Sequence, residues 1–204
     1  MRVAVVIVQG RHAPPSRAAL SLVTALTCAN RQCTLVWAVP EGLPHDIRAP
    51  TAEADVLYLQ ACPPVAPSFP DLPLFRLADQ IAPTLNQFDI VYALCSSHPA
   101  IQVARQRRFA ASRLPFVVTI VDETLESSLR QQHRFPSGLA EINQVFGERY
   151  QVQHSDWLIC LKPMLGELSE VQRWNMPADE CVRSVGVEDA PWFRLHEEVE
   201  AAAR

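Results

Sequence analysis

Seven short segments rich in apolar residues recur along the chain, and the clearest of them, Phe116–Val121, is rich in β-branched residues and ends abruptly in Asp122 and Glu123. Apolar runs without polar alternation are typical of strands that are buried on both faces, as in a parallel sheet covered by helices. The predicted strands cover residues 2–8, 33–39, 55–60, 88–94, 116–121, 156–161 and 181–185.

Between these runs the hydrophobic spacing changes to the 3.6-residue period of amphipathic helices. Ser16 is a good N-cap, and apolar side chains recur three and four positions apart over residues 17–30. Further helices are predicted over residues 74–85, 96–113, 139–154 and 163–174. Strands that alternate with helices define the α/β class. The sequence therefore predicts a single Rossmann-like, doubly wound, mostly parallel sheet of about seven strands with helices on both faces.

Composition and charge narrow the classes of function. The 204 residues carry a net charge of −4, which gives no reason to expect nucleic-acid binding. No apolar run approaches the ~20 residues that span a bilayer, and the first residues lack a signal-peptide pattern. None of the six cysteines forms a Cys-x-x-Cys pair, so we interpret them as free thiols rather than zinc ligands. We therefore expect a cytoplasmic protein.

Two clusters of basic residues stand out against this acidic background. One is a set of four arginines within residues 105–113, and the other consists of Arg130, His133 and Arg134 beside Phe135. Such clusters are usually solvated helix faces. The alternative is attraction to phosphate groups, either on an acceptor or on an anionic membrane surface, with peripheral membrane association as the consequence.

The first strand is followed by a turn that contains Gly10, Arg11 and His12. This turn has one glycine, so the G-x-G-x-x-G fingerprint of dinucleotide binding is missing. Arg11, His12 and the N-terminus of the next helix suit an anionic or hydroxyl-rich ligand, and the alternative is a solvated loop. Ser97 and His98 follow the fourth strand and are expected to face the same crevice; the alternative is a helix cap or surface group.

The fifth strand ends in the carboxylates Asp122 and Glu123. In open α/β sheets, ligands bind in the crevice outside the carboxyl ends of the strands. The two side chains suit a general base and a binder of sugar hydroxyls; the alternative, compatible with this, is that one of them caps the next helix. The spacing of His12, His98 and Asp122 does not specify a metal site, so we expect no metal.

Four stretches, in this order, resemble motifs of one family of enzymes. FDIVY at residues 88–92 looks like "fDvVh", and VTIVD at 118–122 looks like "v-T-x-H-D". HSDWLIC at 154–160 looks like "x-A-D-x-v-i-x", and VGVE at 185–188 with Phe193 looks like "n-G-V-D…F". Together they resemble the N-terminal domain of the retaining group 1 glycosyltransferases, which have the two-Rossmann-domain (GT-B) architecture.

The resemblance implies an acceptor-binding domain for a glycan or lipid-linked acceptor. It implies that residues 1–194 form this domain and that 195–204 are a linker or the start of a C-terminal donor-binding domain. The nucleotide-sugar donor would bind in that second domain, so this domain alone would bind no cofactor and transfer no sugar. Asp122 is the candidate catalytic residue. The expected acceptor-side residues are Gly10, Arg11, His12, Ser97, His98, Thr119 and Glu123.

The chain also departs from the family at several positions. Pro14 and Pro15 stand where a glycine pair is frequent, and Val121 replaces a histidine that often contacts the acceptor. Lys162 replaces a serine after the sixth strand, and Val185 replaces an asparagine near the end. Two alternatives stay open: a stand-alone Rossmann-like or flavodoxin-like small-molecule-binding protein, and a non-catalytic domain for protein interaction.

Overall fold

The computed structural model contains a single sheet of seven parallel strands. It describes residues 1–8, 17–29, 31–40, 55–61, 83–85, 87–94, 115–121, 152–162, 181–186 and 190–204. The strands are β1 (Val3–Val8), β2 (Cys33–Pro40), β3 (Asp55–Ala61), β4 (Ile90–Leu94), β5 (Phe116–Val121), β6 (Trp157–Lys162) and β7 (Val182–Gly186). The long described helices are α1 (Arg17–Cys28) and α2 (Trp192–Ala202).

The strands lie in the order β3-β2-β1-β4-β5-β6-β7, and each neighbouring pair is parallel. This is a Rossmann-type order with a seventh strand at one edge. All seven predicted strands are present with bounds that differ by at most two residues. The predicted α/β class and the single doubly wound sheet are therefore confirmed.

Side chains on both faces of the sheet are buried. One face, here called the helix face, carries Val5 and Tyr92 and contacts α1 and α2. The opposite face carries Val6, Val91 and Leu158, which are also excluded from solvent. Each fully buried aliphatic side chain contributes about 1.5–3 kcal/mol relative to an exposed one, so both faces contribute to folding. The prediction that β5 is buried on both faces is confirmed.

Helix α2 packs on the helix face beside α1. Trp192, Leu195 and Val199 recur three and four positions apart and are buried against the sheet, whereas Phe193 points to solvent. The indole Nε1–H of Trp192 donates a hydrogen bond of 3.1 Å to Ser21 Oγ in α1. Residues 192–202 therefore form an amphipathic helix that packs into the core of this sheet, and the division of the chain at residue 195 stays a prediction.

Within the described part of the chain, no helix is long and apolar enough to cross a membrane. Helix α1 has 12 residues and α2 has 11, compared with the ~20 that a bilayer requires.

Candidate functional site

The strand order creates a switch point between β1 and β4. From β1 the sheet extends through β2 to β3 on one side, and through β4 to β7 on the other. In doubly wound sheets, the chain leaves neighbouring strands in opposite directions at such a point, and a crevice opens at their carboxyl ends. The fold therefore places the candidate site beyond the ends of β1 and β4.

Three predicted loops begin at this edge. The register pairs Val6 of β1 with Ala93 of β4, and Leu94 of β4 with Ile120 of β5. Neighbouring strands lie about 4.8 Å apart, so the backbone leaves β1, β4 and β5 within about 10 Å across the sheet. The ends of these three strands are thus close enough together to border one crevice.

Most of the predicted site residues follow these strand ends closely in the sequence. Gly10, Arg11 and His12 come two to four positions after β1 ends at Val8. Their positions lie outside the described residues, as do those of the residues that follow β4 and β5. Topology brings the three loops to one edge, and the roles of the residues stay predictions; the others are Ser97, His98, Asp122 and Glu123.

Thr119 is the one predicted site residue that the structure describes. It lies in β5 on the opposite face and is 0% exposed. Its hydroxyl forms a short hydrogen bond with the hydroxyl of Ser155, which precedes β6 and is itself buried. The hydroxyl is therefore directed towards the domain interior, and its proposed contact with an acceptor stays a prediction.

Two aspartates of the family-like motifs lie at the amino edge of the sheet, away from the candidate site. Asp89 Oδ2 accepts a hydrogen bond of 2.8 Å from the Arg2 N–H, while the Asp89 N–H donates to the Arg2 carbonyl at 2.8 Å. Asp156 forms the same pair with Val117, at 2.8 and 2.9 Å. Each aspartate thus fixes the register of the neighbouring strand, which is a structural role.

A buried polar cluster joins α2 to the sheet, and sequence reasoning did not find it. Tyr92 Oη of β4 and His196 Nδ1 of α2 share a hydrogen bond of 2.8 Å, and both side chains are almost fully buried. His196 Nε2 lies 3.3 Å from Glu200 Oε1, although without hydrogen-bond geometry. Glu200 Oε2 accepts a hydrogen bond of 3.1 Å from Arg31, before β2. We call these four residues the Tyr92 cluster.

Burial sets the charge state of the histidine in the Tyr92 cluster. Desolvation lowers the pKa of His196 below its ordinary value of 6.5. The carboxylate of Glu200 opposes this change, whereas the positive charge of Arg31 adds to it. His196 is therefore neutral at pH 7. In the tautomer in which Tyr92 donates to Nδ1, the ring proton lies on Nε2 and faces Glu200.

A second contact ties α2 to the edge of the sheet. The guanidinium of Arg183 in β7 donates from Nε to Glu198 Oε2 at 2.7 Å. The same guanidinium lies 4.8 Å from the centre of the Trp157 ring in β6, which is a cation–π distance. Arg183 therefore connects α2 with β6 and β7 on the helix face.

Four of the six cysteines lie among the described residues. Cys28, Cys33, Cys160 and Cys181 are all free thiols. Burial raises the pKa of Cys33 and of Cys160 to about 12, so neither forms a thiolate at neutral pH. No cluster of three or more metal-binding side chains occurs among the residues that the structure describes.

The strand order and the switch point are those of a Rossmann-type domain. Solved structures of sucrose-phosphate synthase from Thermosynechococcus elongatus share this fold. One aligns with a TM-score of 0.62 at 13% identity and covers 100% of this chain and 98% of that chain. A longer one aligns with a TM-score of 0.62 at 14% identity and covers 91% of this chain and 47% of that chain.

Sucrose-phosphate synthase is a GT-B group 1 glycosyltransferase. The suggested resemblance to that family is therefore confirmed at the level of the fold, over the whole chain. No protein-family model and no curated protein sequence matches the chain. The chain spans about half the length of the longer sucrose-phosphate synthase chain.

Proposed function

We propose that this chain is the acceptor-side domain of a retaining glycosyltransferase that transfers a sugar from a nucleotide-sugar to a glycan or lipid-linked acceptor. The observation that carries the proposal is the fold, which aligns with a sucrose-phosphate synthase structure over the full chain at a TM-score of 0.62. The crevice at the carboxyl ends of β1, β4 and β5 would receive the acceptor. Donor binding and turnover would require a second domain of the same protein.

In this proposal each of the three loops contributes residues with a different role in acceptor binding or proton transfer. Arg11 and His12 would bind anionic or hydroxyl groups of the acceptor after β1, with Gly10 allowing close approach of the backbone. Asp122 would take the proton from the acceptor hydroxyl as it attacks the sugar, and Glu123 would hold neighbouring hydroxyls. Ser97, His98 and Thr119 are the remaining proposed acceptor contacts.

Binding to the 204-residue chain tests the acceptor site directly. The backbone amide resonances are followed by NMR during titration with maltotriose, glucose 6-phosphate and UDP-glucose. We expect shifts from one or both of the acceptor-like sugars, confined to the loops after β1, β4 and β5, and none from UDP-glucose. If neither sugar shifts these resonances, the acceptor assignment is wrong.

If glucose 6-phosphate binds, a matched pair of variants locates its phosphate. Arg11→Gln removes a charge at the proposed crevice, and we expect binding to weaken by about 10- to 150-fold, since hydrogen bonds to charged groups contribute about 1.5–3 kcal/mol. Arg2→Gln removes the same charge from an exposed position at the amino edge and should leave binding unchanged. Equal losses in both variants would indicate nonspecific attraction.

The requirement for a second domain has its own test. Residues 1–204 are incubated with UDP-glucose and a mixture of glycan acceptors, and released UDP is measured. We expect no release above hydrolysis without protein. Sugar transfer by this chain alone would contradict the division of labour proposed here.

One observation favours the stand-alone binding protein as a second candidate. Helix α2 of the same chain covers the helix face, with Leu195 and Val199 in the core. In the described part of the chain, this face is thus buried without a second domain. The stand-alone candidate predicts sugar or small-molecule binding in a native protein that has no donor-binding domain.

A further inference from the structure

The interface between α2 and the sheet contains a titratable group that the proposed reaction does not use. His196 is 0% exposed and lies between α2 and β4, where its Nδ1 pairs with the hydroxyl of Tyr92. The other described histidine, His154, precedes β6 and is exposed. Protonation of His196 would therefore place a charge inside the helix–sheet interface.

The groups around His196 are poorly arranged to accept that charge. Its own helix supplies Glu200, whose other carboxylate oxygen is already bound to Arg31 at 3.1 Å. The sheet supplies the hydroxyl of Tyr92 from β4, and Tyr92 in turn lies near the buried thiol of Cys33 from β2; both groups are uncharged at neutral pH. The positive charges of Arg31 and of the N-terminal amine act against protonation.

A protonated imidazole would also disturb the hydrogen bond to the sheet. Tyr92 could no longer donate to Nδ1, because both ring nitrogens of a protonated histidine carry hydrogen. The phenol would have to rotate its proton away inside the core. The added proton would lie on Nδ1, and the Nε2–H that already faces Glu200 would still share that carboxylate with Arg31; among the described residues, Glu200 is the only carboxylate that faces the ring.

We propose that His196 makes the docking of α2 on the sheet acid-sensitive: the helix is held while the imidazole is neutral, and protonation raises the population in which α2 is detached from β4. The undocked helix exposes the imidazole to water and removes the cost of its charge. This regulation is independent of the proposed glycosyltransferase activity, because it depends only on the helix face.

The direction and size of the pH effect on α2 docking follow from the difference in the pKa of His196 between the docked and undocked states. The pKa of His196 is lower in the docked state than the ordinary 6.5, so the undocked state takes up the proton first as the pH falls. Docking is at full strength above about pH 6.5 and weakens below it by up to about tenfold per pH unit. The loss of docking stability levels off once the pH falls below the pKa that His196 has in the docked state.

Hydrogen exchange of the complete chain at pH 7.5 and pH 5.5 tests the proposal, with each rate corrected for the pH dependence of intrinsic amide exchange. Both pH values lie above the ordinary carboxyl range of about 4. We expect protection of α2 amides to fall by up to about tenfold at pH 5.5, and protection of β5 amides to fall less. No loss in α2, or an equal loss in α2 and β5, overturns the proposal.

Two variants assign the effect to one residue. His196→Gln keeps a polar side chain of similar length without a titratable group, and protection of its α2 should not depend on pH. His154→Gln removes an exposed histidine and should retain the loss seen in the wild type. A pH dependence that survives in His196→Gln contradicts the proposal.

A measurement on the wild type covers the case in which His196→Gln does not fold. The imidazole Hε1 resonance of His196 is followed by NMR from pH 8 to pH 5. We expect a midpoint below 6.5, together with loss of α2 protection over the same range. A midpoint at or above 6.5 would show that the docked helix accepts the charge, and it would overturn the proposal.

Discussion

Replacing Leu195 tests whether α2 is a working part of the domain core. The side chain is 5% exposed and belongs to the cluster that joins α1, α2 and the sheet. Leu195→Ala removes three carbon atoms, which at about 0.8 kcal/mol each represent about 2.4 kcal/mol of lost transfer free energy. The remaining cavity raises the expected loss to between about 2.7 and 5 kcal/mol.

Equilibrium unfolding in urea at pH 7.5 measures this loss. A typical domain has a free energy of unfolding of about 5–15 kcal/mol, so the expected change shifts the midpoint clearly. Glu197→Ala is the matched control, since Glu197 is exposed on the same helix and should change stability by no more than about 0.5 kcal/mol. If Leu195→Ala is equally mild, α2 does not contribute to the cooperative core, and residues 195–204 behave as the linker expected from sequence.

Two further predictions concern buried groups away from α2. Asp156→Ala leaves the Val117 N–H without its carboxylate partner, and we expect it to lower the free energy of unfolding in urea by about 1–3 kcal/mol. Asp156→Asn keeps an acceptor oxygen and should lower it by less. Equal losses in the two variants would contradict the hydrogen-bond role of Asp156. Iodoacetamide at pH 7.5 should label the exposed Cys28 of the folded protein much faster than Cys33 or Cys160, because burial raises the pKa of each of the latter two thiols to about 12. Peptide mass spectrometry measures the three labelling rates. Comparable rates would contradict the burial of Cys33 and Cys160.

The sheet could be predicted from sequence because buried parallel strands carry a strong local signal. The run at β5, Phe116–Val121, has no polar residue except Thr119, and its predicted and observed bounds are identical. At β4 the predicted start was Phe88, but the strand begins at Ile90 because the Phe88 N–H bonds to the Leu85 carbonyl in a turn. Such ends depend on single hydrogen bonds that apolar patterns do not report.

The contacts of α2 could not be predicted because they join distant parts of the chain. Tyr92 and His196 are 104 positions apart, and nothing local marks either as a partner of the other. In the sequence, Asp89 and Asp156 look like the candidate site carboxylate Asp122, although in the structure their carboxylates accept hydrogen bonds from the backbone of neighbouring segments. Only their position before a strand, at the amino edge, indicates a structural role.

The candidate site was predicted from strand ends and from a family resemblance, and these two sources carry different weight. The strand ends are confirmed by the topology, which brings the loops after β1, β4 and β5 to one edge. The roles of individual residues, including Arg11 and Asp122, depend on side-chain positions that a strand order does not fix. They remain predictions for the binding experiments.

The central claim is that the chain forms one half of a two-domain enzyme, and the intact mass of the protein as its native source produces it tests that claim most directly. The chain has a mass of 22.8 kDa and spans 47% of the longer sucrose-phosphate synthase chain. We predict a native product of about twice 22.8 kDa. A native product of 22.8 kDa would contradict the two-domain account and favour a small binding protein.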